Sequence, residues 1–212
     1  MTTAPSPLLE RLRRDDRADA DQARLLDAAL DAFMDFGIRR TSMGEIAKRS
    51  GVSPATLYRR FSGKDEVVWA VGRREASRLI AEIDASVDID SDAGSQVADM
   101  FVAFLRGLRR NRLLPRLLAT EPEVVLPLLT VHGGPVLDLG RAYLSDFIRR
   151  LQGRGGLPAF DPEPAAEMVA RIALSMALTP QTRLPVDDEV AVREFARTHV
   201  AVLFGAPGPP RP

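Results

Sequence analysis

Residues 42–61 read SMGEIAKRSGVSPATLYRRF and predict two short helices joined by a tight turn. Ser42 and Glu45 stand three residues apart, the spacing of a capping box that satisfies the first free N–H groups of a helix. Gly51 supplies a left-handed stop to the first helix. Pro54 suits the first position of the second helix, where its missing N–H breaks no hydrogen bond.

The second helix has two chemically different faces. At 100° per residue, Leu57 and Phe61 point inward, while Thr56, Tyr58 and Arg59 lie on the opposite arc. A helix that only packs into a core has little reason to expose these three polar side chains together. Hydroxyl groups contact DNA phosphates, and arginine binds the guanine edge. The pattern therefore favours the recognition helix of a helix-turn-helix motif.

Basic charge is concentrated around this motif. Residues 36–64 contain seven basic residues and one acidic residue, in a chain of 212 residues whose 29 basic and 29 acidic side chains balance. Such an excess is expected where the partner is a polyanion, although a solvated charged face explains the charge alone about as well. Lys64 lies in the first turn of the next helix, where its charge opposes the helix dipole. A nearby phosphate would offset that cost.

The rest of the chain shows helical spacing, with no alternating strand pattern and no internal repeat. The fold class is therefore predicted to be all-α. An apolar stripe from Leu26 to Phe36 predicts a first helix that Gly37 ends, and Ser62 with Asp65 predicts a capped helix reaching about Ala85. After a loop at 87–94, further helices are predicted at 95–110, 113–120, 122–131, 135–153, 162–179 and 187–204.

The motifs of the N-terminal third resemble those of the TetR family of transcriptional regulators, over about residues 22–70. They are Leu25–Phe36, Gly37, Thr41-Ser42, Glu45-Ile46-Ala47, Gly51-Val52-Ser53, Thr56-Leu57-Tyr58, Phe61 and Lys64. One departure is the Arg59-Arg60 pair, where many relatives have an aromatic residue and a histidine. The resemblance implies a homodimer on a palindromic operator, with recognition helices in major grooves about 34 Å apart.

The resemblance also implies a division of the chain and a set of roles. The domains expected are a flexible N-terminal arm (1–21), a three-helix helix-turn-helix DNA-binding domain (22–66), a larger helical effector-binding and dimerisation domain (67–204) and a disordered tail (205–212). The DNA contacts expected are Thr41, Ser42, Pro54, Ala55, Thr56, Tyr58, Arg59, Arg60 and Lys64. The dimer contacts expected, in the last two helices, are Met168, Ile172, Met176, Val192, Phe195, His199 and Val202.

The middle helices are rich in apolar residues, which suggests an apolar effector such as a long acyl chain or a hydrophobic drug. The pocket residues expected are Phe101, Phe104, Leu105, Leu108, Leu118, Leu128, His132, Arg141, Tyr143, Phe147, Met168 and Ile172. Packing in the core alone is the alternative for each of them. Binding of the effector is expected to release the protein from DNA and relieve repression. For a regulator of the same fold, the alternatives to inducible repression are activation of transcription and regulation without an inducer.

Catalysis is not expected. The chain has no cysteine, which excludes thiol catalysis and cysteine-bound zinc. The run His132-Gly133-Gly134 is similar to an esterase oxyanion loop, but no G-x-S-x-G nucleophile turn accompanies it. No P-loop or dinucleotide-binding motif occurs, and the two histidines lack the spacing of metal ligands, so no cofactor or metal is expected.

Two further classes are also disfavoured. A nonspecific architectural DNA-binding protein would carry basic charge throughout, whereas residues 65–212 hold 17 basic and 20 acidic residues. The longest uncharged run, residues 124–137, is 14 residues long and is broken by glycine and proline, which is too short to span a bilayer. Residues 1–20 carry charges where a signal peptide needs an apolar stretch. A cytoplasmic protein without membrane contact is expected.

Overall fold

The computed structural model describes residues 20–184 and 186–206. Over these residues the chain is all-α with no strand, which confirms the predicted fold class. The helices are α1 (Ala20–Arg40), α2 (Met43–Ser50), α3 (Pro54–Arg60), α4 (Lys64–Ser86), α5 (Ala93–Arg110), α6 (Leu113–Thr120), α7 (Pro122–Leu129), α8 (Gly134–Gly153), α9 (Pro162–Leu178) and α10 (Glu189–Phe195). A π-helical turn (Ala196–Val200) and a 3-10 turn (Ala201–Phe204) continue from α10.

The described chain divides into two compact units. We call residues 20–78 with Asn111–Gly134 the head unit, and Leu79–Arg110 with 135–206 the body unit. Helices α6 and α7 therefore belong to the head unit, although the sequence-based division assigns them to the larger domain. The predicted bounds of the functional domains stay predictions. The arm and the tail lie outside the described residues except at residues 20–21 and 205–206.

One apolar core holds the head unit together. Phe33 of α1, Ile46 of α2 and Leu57 of α3 are each no more than 1% exposed. Leu117 of α6 and Val125 of α7 join the same cluster. Burying side chains of this size stabilises each by roughly 1.5–3 kcal/mol relative to exposure, so this core fixes how α2 and α3 sit on α1.

Most of the capping and turn interactions predicted around the helix-turn-helix are present in the structure. Gly51 is left-handed at φ 74° and ψ 16°, and its N–H and that of Val52 bond back to the end of α2. Ser42 caps α2 by accepting from the Glu45 N–H at 3.1 Å. The other half of that predicted capping box is wrong, because the Glu45 carboxylate accepts from the Arg49 side chain instead.

The start of α4 differs from the prediction as well. The expected partner of Ser62 was Asp65, but the Glu66 carboxylate accepts from the Ser62 N–H at 2.6 Å and from its hydroxyl at 2.9 Å. These two hydrogen bonds, the main-chain one first, lower the pKa of Glu66. The acidic partner of this capping box is thus Glu66, one residue later than the spacing of the motif predicts, and its side chain reaches back over a full helical turn.

Candidate nucleic-acid interface

Helix α3 is short and is fixed at both ends. The Ser53 hydroxyl accepts from the Thr56 N–H at 3.1 Å, and Pro54 occupies the first turn. At the other end the Phe61 N–H bonds to the Leu57 carbonyl at 3.0 Å. Leu57 and Phe61 are 0% and 5% exposed, so the helix is anchored on its inner side by two buried apolar residues.

The outer face of α3 presents the polar residues that the sequence assigns to it. Tyr58 is 57% exposed, and Arg59, Pro54 and Ala55 are also exposed. Thr56 is half-buried, and its hydroxyl lies 3.0 Å from that of Ser53. The face therefore offers a phenol and a guanidinium beside two small apolar groups, the mixture that base edges, phosphates and thymine methyl groups require.

The other residues predicted to contact DNA lie beside this face but differ in their availability. Arg60 is half-buried and lies 3.9 Å from the Asp21 carboxylate. Half-buried Lys64 donates from Nζ to the Arg39 carbonyl at 3.1 Å. Ser42 is exposed, with its hydroxyl already accepting the cap hydrogen bond of α2.

Thr41 needs a correction. It is 1% exposed, and its hydroxyl donates to the carbonyls of Gly37 at 2.7 Å and Ala32 at 3.2 Å. A side chain buried in this way secures the end of α1 and has no surface to offer a phosphate. We therefore leave Thr41 out of the proposed contact set and assign it a structural role.

Several basic side chains of the head unit form ion pairs with acidic ones. Arg39 pairs with Glu123 at 2.6 Å, and Arg49 pairs with Asp35 at 2.7 Å and with Glu45 at 2.8 Å. Hydrogen bonds from Glu45 and then Asp35 raise the pKa of Arg49. By contrast, exposed Arg59 and Lys48 form no ion pair with any described residue. The cation on the outer face of α3 is thus available to a partner.

Comparison with known proteins decides the family. Residues 25–71 match the family model described as bacterial regulatory proteins, tetR family, and residues 92–197 match the one described as bacterial tetracyclin repressor, C-terminal domain. The chain belongs to the TetR family. It is a DNA-binding transcriptional regulator and not an enzyme.

Individual TetR-family relatives agree with this assignment. The chain is 27% identical over 156 residues to the HTH-type transcriptional regulator AlkX of Mycobacterium tuberculosis, covering 68% of this chain and 71% of the relative. It is 33% identical over 119 residues to the HTH-type transcriptional activator FasR of Mycolicibacterium smegmatis. That match covers 53% of this chain and 54% of FasR, which is about half of each.

A solved structure shows the same fold. The TetR family repressor AlkX from Dietzia sp. strain DQ12-45-1b superposes with a TM-score of 0.67 at 23% identity. The match covers 85% of this chain and 96% of the Dietzia protein. The chain therefore shares the fold of this repressor over most of its length.

The residues predicted to line an effector pocket fall in both units. Leu118, Leu128 and His132 belong to the head unit and the others to the body unit. Within the body unit the buried members are Phe101, Leu105, Tyr143 and Phe147, and the half-buried ones are Phe104 and Leu108.

Four predicted pocket residues are poorly placed for an enclosed apolar site. His132 is exposed, and Arg141 bonds to Asp138 at 2.8 Å on the surface of α8. Met168 and Ile172 are 48% and 42% exposed. These four therefore lie at or near the surface of their own units, and their place in an effector pocket stays a prediction.

The body unit buries one of the polar residues that the sequence assigns to the pocket. Tyr143 is 3% exposed, and its hydroxyl has no hydrogen-bond partner among the described residues. Burial first, and the charge of Asp84 second, raise the pKa of Tyr143. A small cleft in the same unit is lined by Val87, Ile89, Gln96, Phe147, Arg150 and Arg154.

Most residues predicted for the dimer interface face outward. Met168 and Ile172 stand four apart on α9, and Val202 is 53% exposed, as is expected of an unpaired apolar stripe. His199 is exposed, and Met176 and Phe195 are half-buried. Val192 is corrected to a core position, since it is only 3% exposed within its own unit.

No group of three or more metal-binding side chains occurs among residues 20–184 and 186–206. Over the same part of the chain, no helix combines the length and the apolar character that crossing a bilayer demands.

Proposed function

We propose that this TetR-family regulator binds a palindromic operator as a homodimer in the cytoplasm and represses transcription until a hydrophobic small molecule releases it. The observation that carries the DNA-binding part is the outer face of α3. There Tyr58 is 57% exposed, and Arg59 is exposed and has no ion-pair partner within residues 20–184 and 186–206, while Leu57 beneath them is fully buried. The hydrogen-bonding groups of this face stay exposed, because the buried opposite side of α3 fixes the rotation of the helix about its axis.

The dimeric state is supported by the apolar stripe on α9 and the final turns. Met168, Ile172 and Val202 are each more than two-fifths exposed, although each is a large apolar residue. Solvent exposure of such residues is unfavourable, and contact with a second copy would remove it. A palindromic site follows, since a twofold dimer presents two identical recognition helices.

The effector class rests on the apolar composition of the body unit and on a relative. The Dietzia AlkX repressor is implicated in the biodegradation of n-alkanes, which are extended apolar molecules. The body unit offers buried aromatic residues, among them Phe101 and Phe147, with Tyr143 as a buried polar group. A long apolar chain bearing one polar group fits that chemistry.

The experiment that tests the proposal is selection of genomic DNA fragments by the purified protein, repeated with candidate effectors. We expect a small set of fragments that share an inverted repeat and are lost when an alkane or a long-chain acyl compound is added. Recovery of random fragments, with no shared repeat at physiological salt, would contradict specific binding. Retention of the same fragments with every apolar compound would contradict the effector class alone.

Activation is the second candidate, and the relative FasR, named as an activator, favours it. Repression and activation differ in whether the protein lowers or raises expression from the target promoter. Deleting the gene should raise expression from the selected promoters if the protein represses them. A fall in expression would establish activation and leave the DNA-binding assignment unchanged.

A further inference from the structure

A buried carboxylate faces the turn between α1 and α2. Glu121, which joins α6 to α7, is 7% exposed. Its Oε2 accepts from the Ile38 N–H at 2.7 Å, and its two oxygens lie 3.2 and 3.3 Å from the Arg39 nitrogen. No basic side chain pairs with it among the described residues of the head unit. Because a buried charge is costly unless hydrogen bonds satisfy it, these main-chain donors are what hold the carboxylate there.

Gly37 makes room for the carboxylate. Its φ of 80° and ψ of 168° break the helical path of α1, in a region that side chains rarely adopt. A Cβ atom at this position would lie 2.5 Å from Oε1 of Glu121. Gly37 therefore fits Glu121 in two ways, since it turns the next two N–H groups toward the carboxylate and leaves space for its oxygens.

The segment held in this way leads directly into the DNA-binding elements. The Arg39 carbonyl accepts from Lys64 at 3.1 Å, and the Gly37 carbonyl accepts from the Thr41 hydroxyl at 2.7 Å. The next residue, Ser42, caps α2. One carboxylate on a distant part of the chain thus fixes the origin of α2 and the carbonyl that restrains Lys64.

We propose that Glu121 is a positioning residue for operator binding. Its carboxylate holds the segment 37–42 so that α2, α3 and Lys64 meet the DNA in one fixed geometry. The side chain does not contact DNA itself, since it is buried within the head unit. This inference rests on the proposed operator binding and adds to it a residue that lies outside the helix-turn-helix sequence.

The test compares three substitutions at one position. In Glu121→Gln the amide oxygen can take the place of Oε2 and accept from both N–H groups. In Glu121→Asp the charge is kept, but the side chain is one methylene too short to reach them. In Glu121→Ala both hydrogen bonds are lost. The main-chain bonds that Glu121 makes to Leu117, Val124 and Val125 survive all three changes.

Val125→Ala is the matched control. Val125 lies on α7, is 6% exposed and packs in the same apolar core, but its side chain carries no hydrogen bond to the turn. For all four variants, affinity is measured on a DNA fragment selected by the wild-type protein, thermal midpoints are recorded, and amide hydrogen exchange is followed at Ile38 and Arg39.

We expect Glu121→Ala and Glu121→Asp to bind the fragment at least tenfold more weakly and to lose exchange protection at Ile38 and Arg39. Glu121→Gln should recover most of the affinity and the protection. Val125→Ala should lower the thermal midpoint yet bind within threefold of the wild type. If Glu121→Ala does not fold, Glu121→Asp and Glu121→Gln still make the comparison.

Two results would overturn the inference while leaving operator binding intact. One is wild-type affinity in Glu121→Asp together with lost amide protection. The other is an equal loss of affinity in Val125→Ala at a matched loss of thermal midpoint, which would reduce Glu121 to a stabilising role. A wild-type protein that selects no fragment would instead refute the proposed operator binding itself, and with it any positioning role.

Discussion

Replacing Arg59 with alanine separates DNA recognition from folding with unusual clarity. Arg59 is exposed on α3 and has no hydrogen-bond or ion-pair partner among the described residues, so its removal breaks no such contact with them. A surface change of this kind alters stability by no more than about 0.5 kcal/mol. If Arg59 contacts a base, the loss of binding should be about 1–3 kcal/mol, which corresponds to a Kd raised about 5- to 150-fold.

The assay is fluorescence anisotropy on the selected operator and on a panel of single base-pair variants, with urea unfolding in parallel. Arg59→Ala should weaken the operator most and flatten the preference at one position. Lys64→Ala is the contrast, because a phosphate contact should weaken all sequences alike and reduce the salt slope by about 1. Uniform weakening by Arg59→Ala, or an altered base preference in Lys64→Ala, would refute the roles assigned to these two residues.

Four further substitutions test the scaffold and the dimer interface. Ser53→Ala should cost about 1 kcal/mol in urea unfolding, because it removes the N-cap of α3; no change would mean that the cap is dispensable. Gly51→Ala should cost about 1 kcal/mol from its left-handed backbone alone, since no atom lies within 4 Å of the added carbon. Gly37→Ala should cost at least twice as much, because the added carbon also meets Glu121, and equal losses in the two unfolding curves would contradict that close fit. Ile172→Asp should shift the protein from dimer to monomer in light scattering, and a persistent dimer would place the interface elsewhere.

The sequence predicted the helix-turn-helix well because its signals are local. Capping by Ser42 and Ser53, the left-handed Gly51 and the opposite faces carrying Leu57 and Tyr58 each depend on residues within a few positions of one another. Interactions over one turn are fixed by helix geometry alone, so a sequence pattern is sufficient to infer them. The exposed face of α3 therefore needed no knowledge of the rest of the molecule.

Burial of the apolar residues in the body unit could not be predicted from the sequence. Met168 and Val192 are both apolar residues at helical spacing, but one is 48% exposed and the other 3%. Periodicity identifies an apolar stripe but does not say whether a neighbouring helix or another molecule covers it. Arg141, predicted as a pocket residue, pairs with Asp138 three residues before it, a local contact that helix spacing alone could have indicated.

Glu121 shows a different limit of sequence reasoning. Its carboxylate accepts a hydrogen bond from the N–H of Ile38, which lies 83 residues away in the sequence. Glu121 precedes Pro122, so the sequence alone shows only an acidic residue between two short helices. Nothing local distinguishes it from exposed Glu123, only two residues away, which pairs with the Arg39 side chain at 2.6 Å. Only the fold separates a carboxylate that holds the main chain from one that neutralises a surface arginine. Because both carboxylates reach the same short segment, the position of the first turn of the DNA-binding motif depends on helices that lie outside it in the sequence.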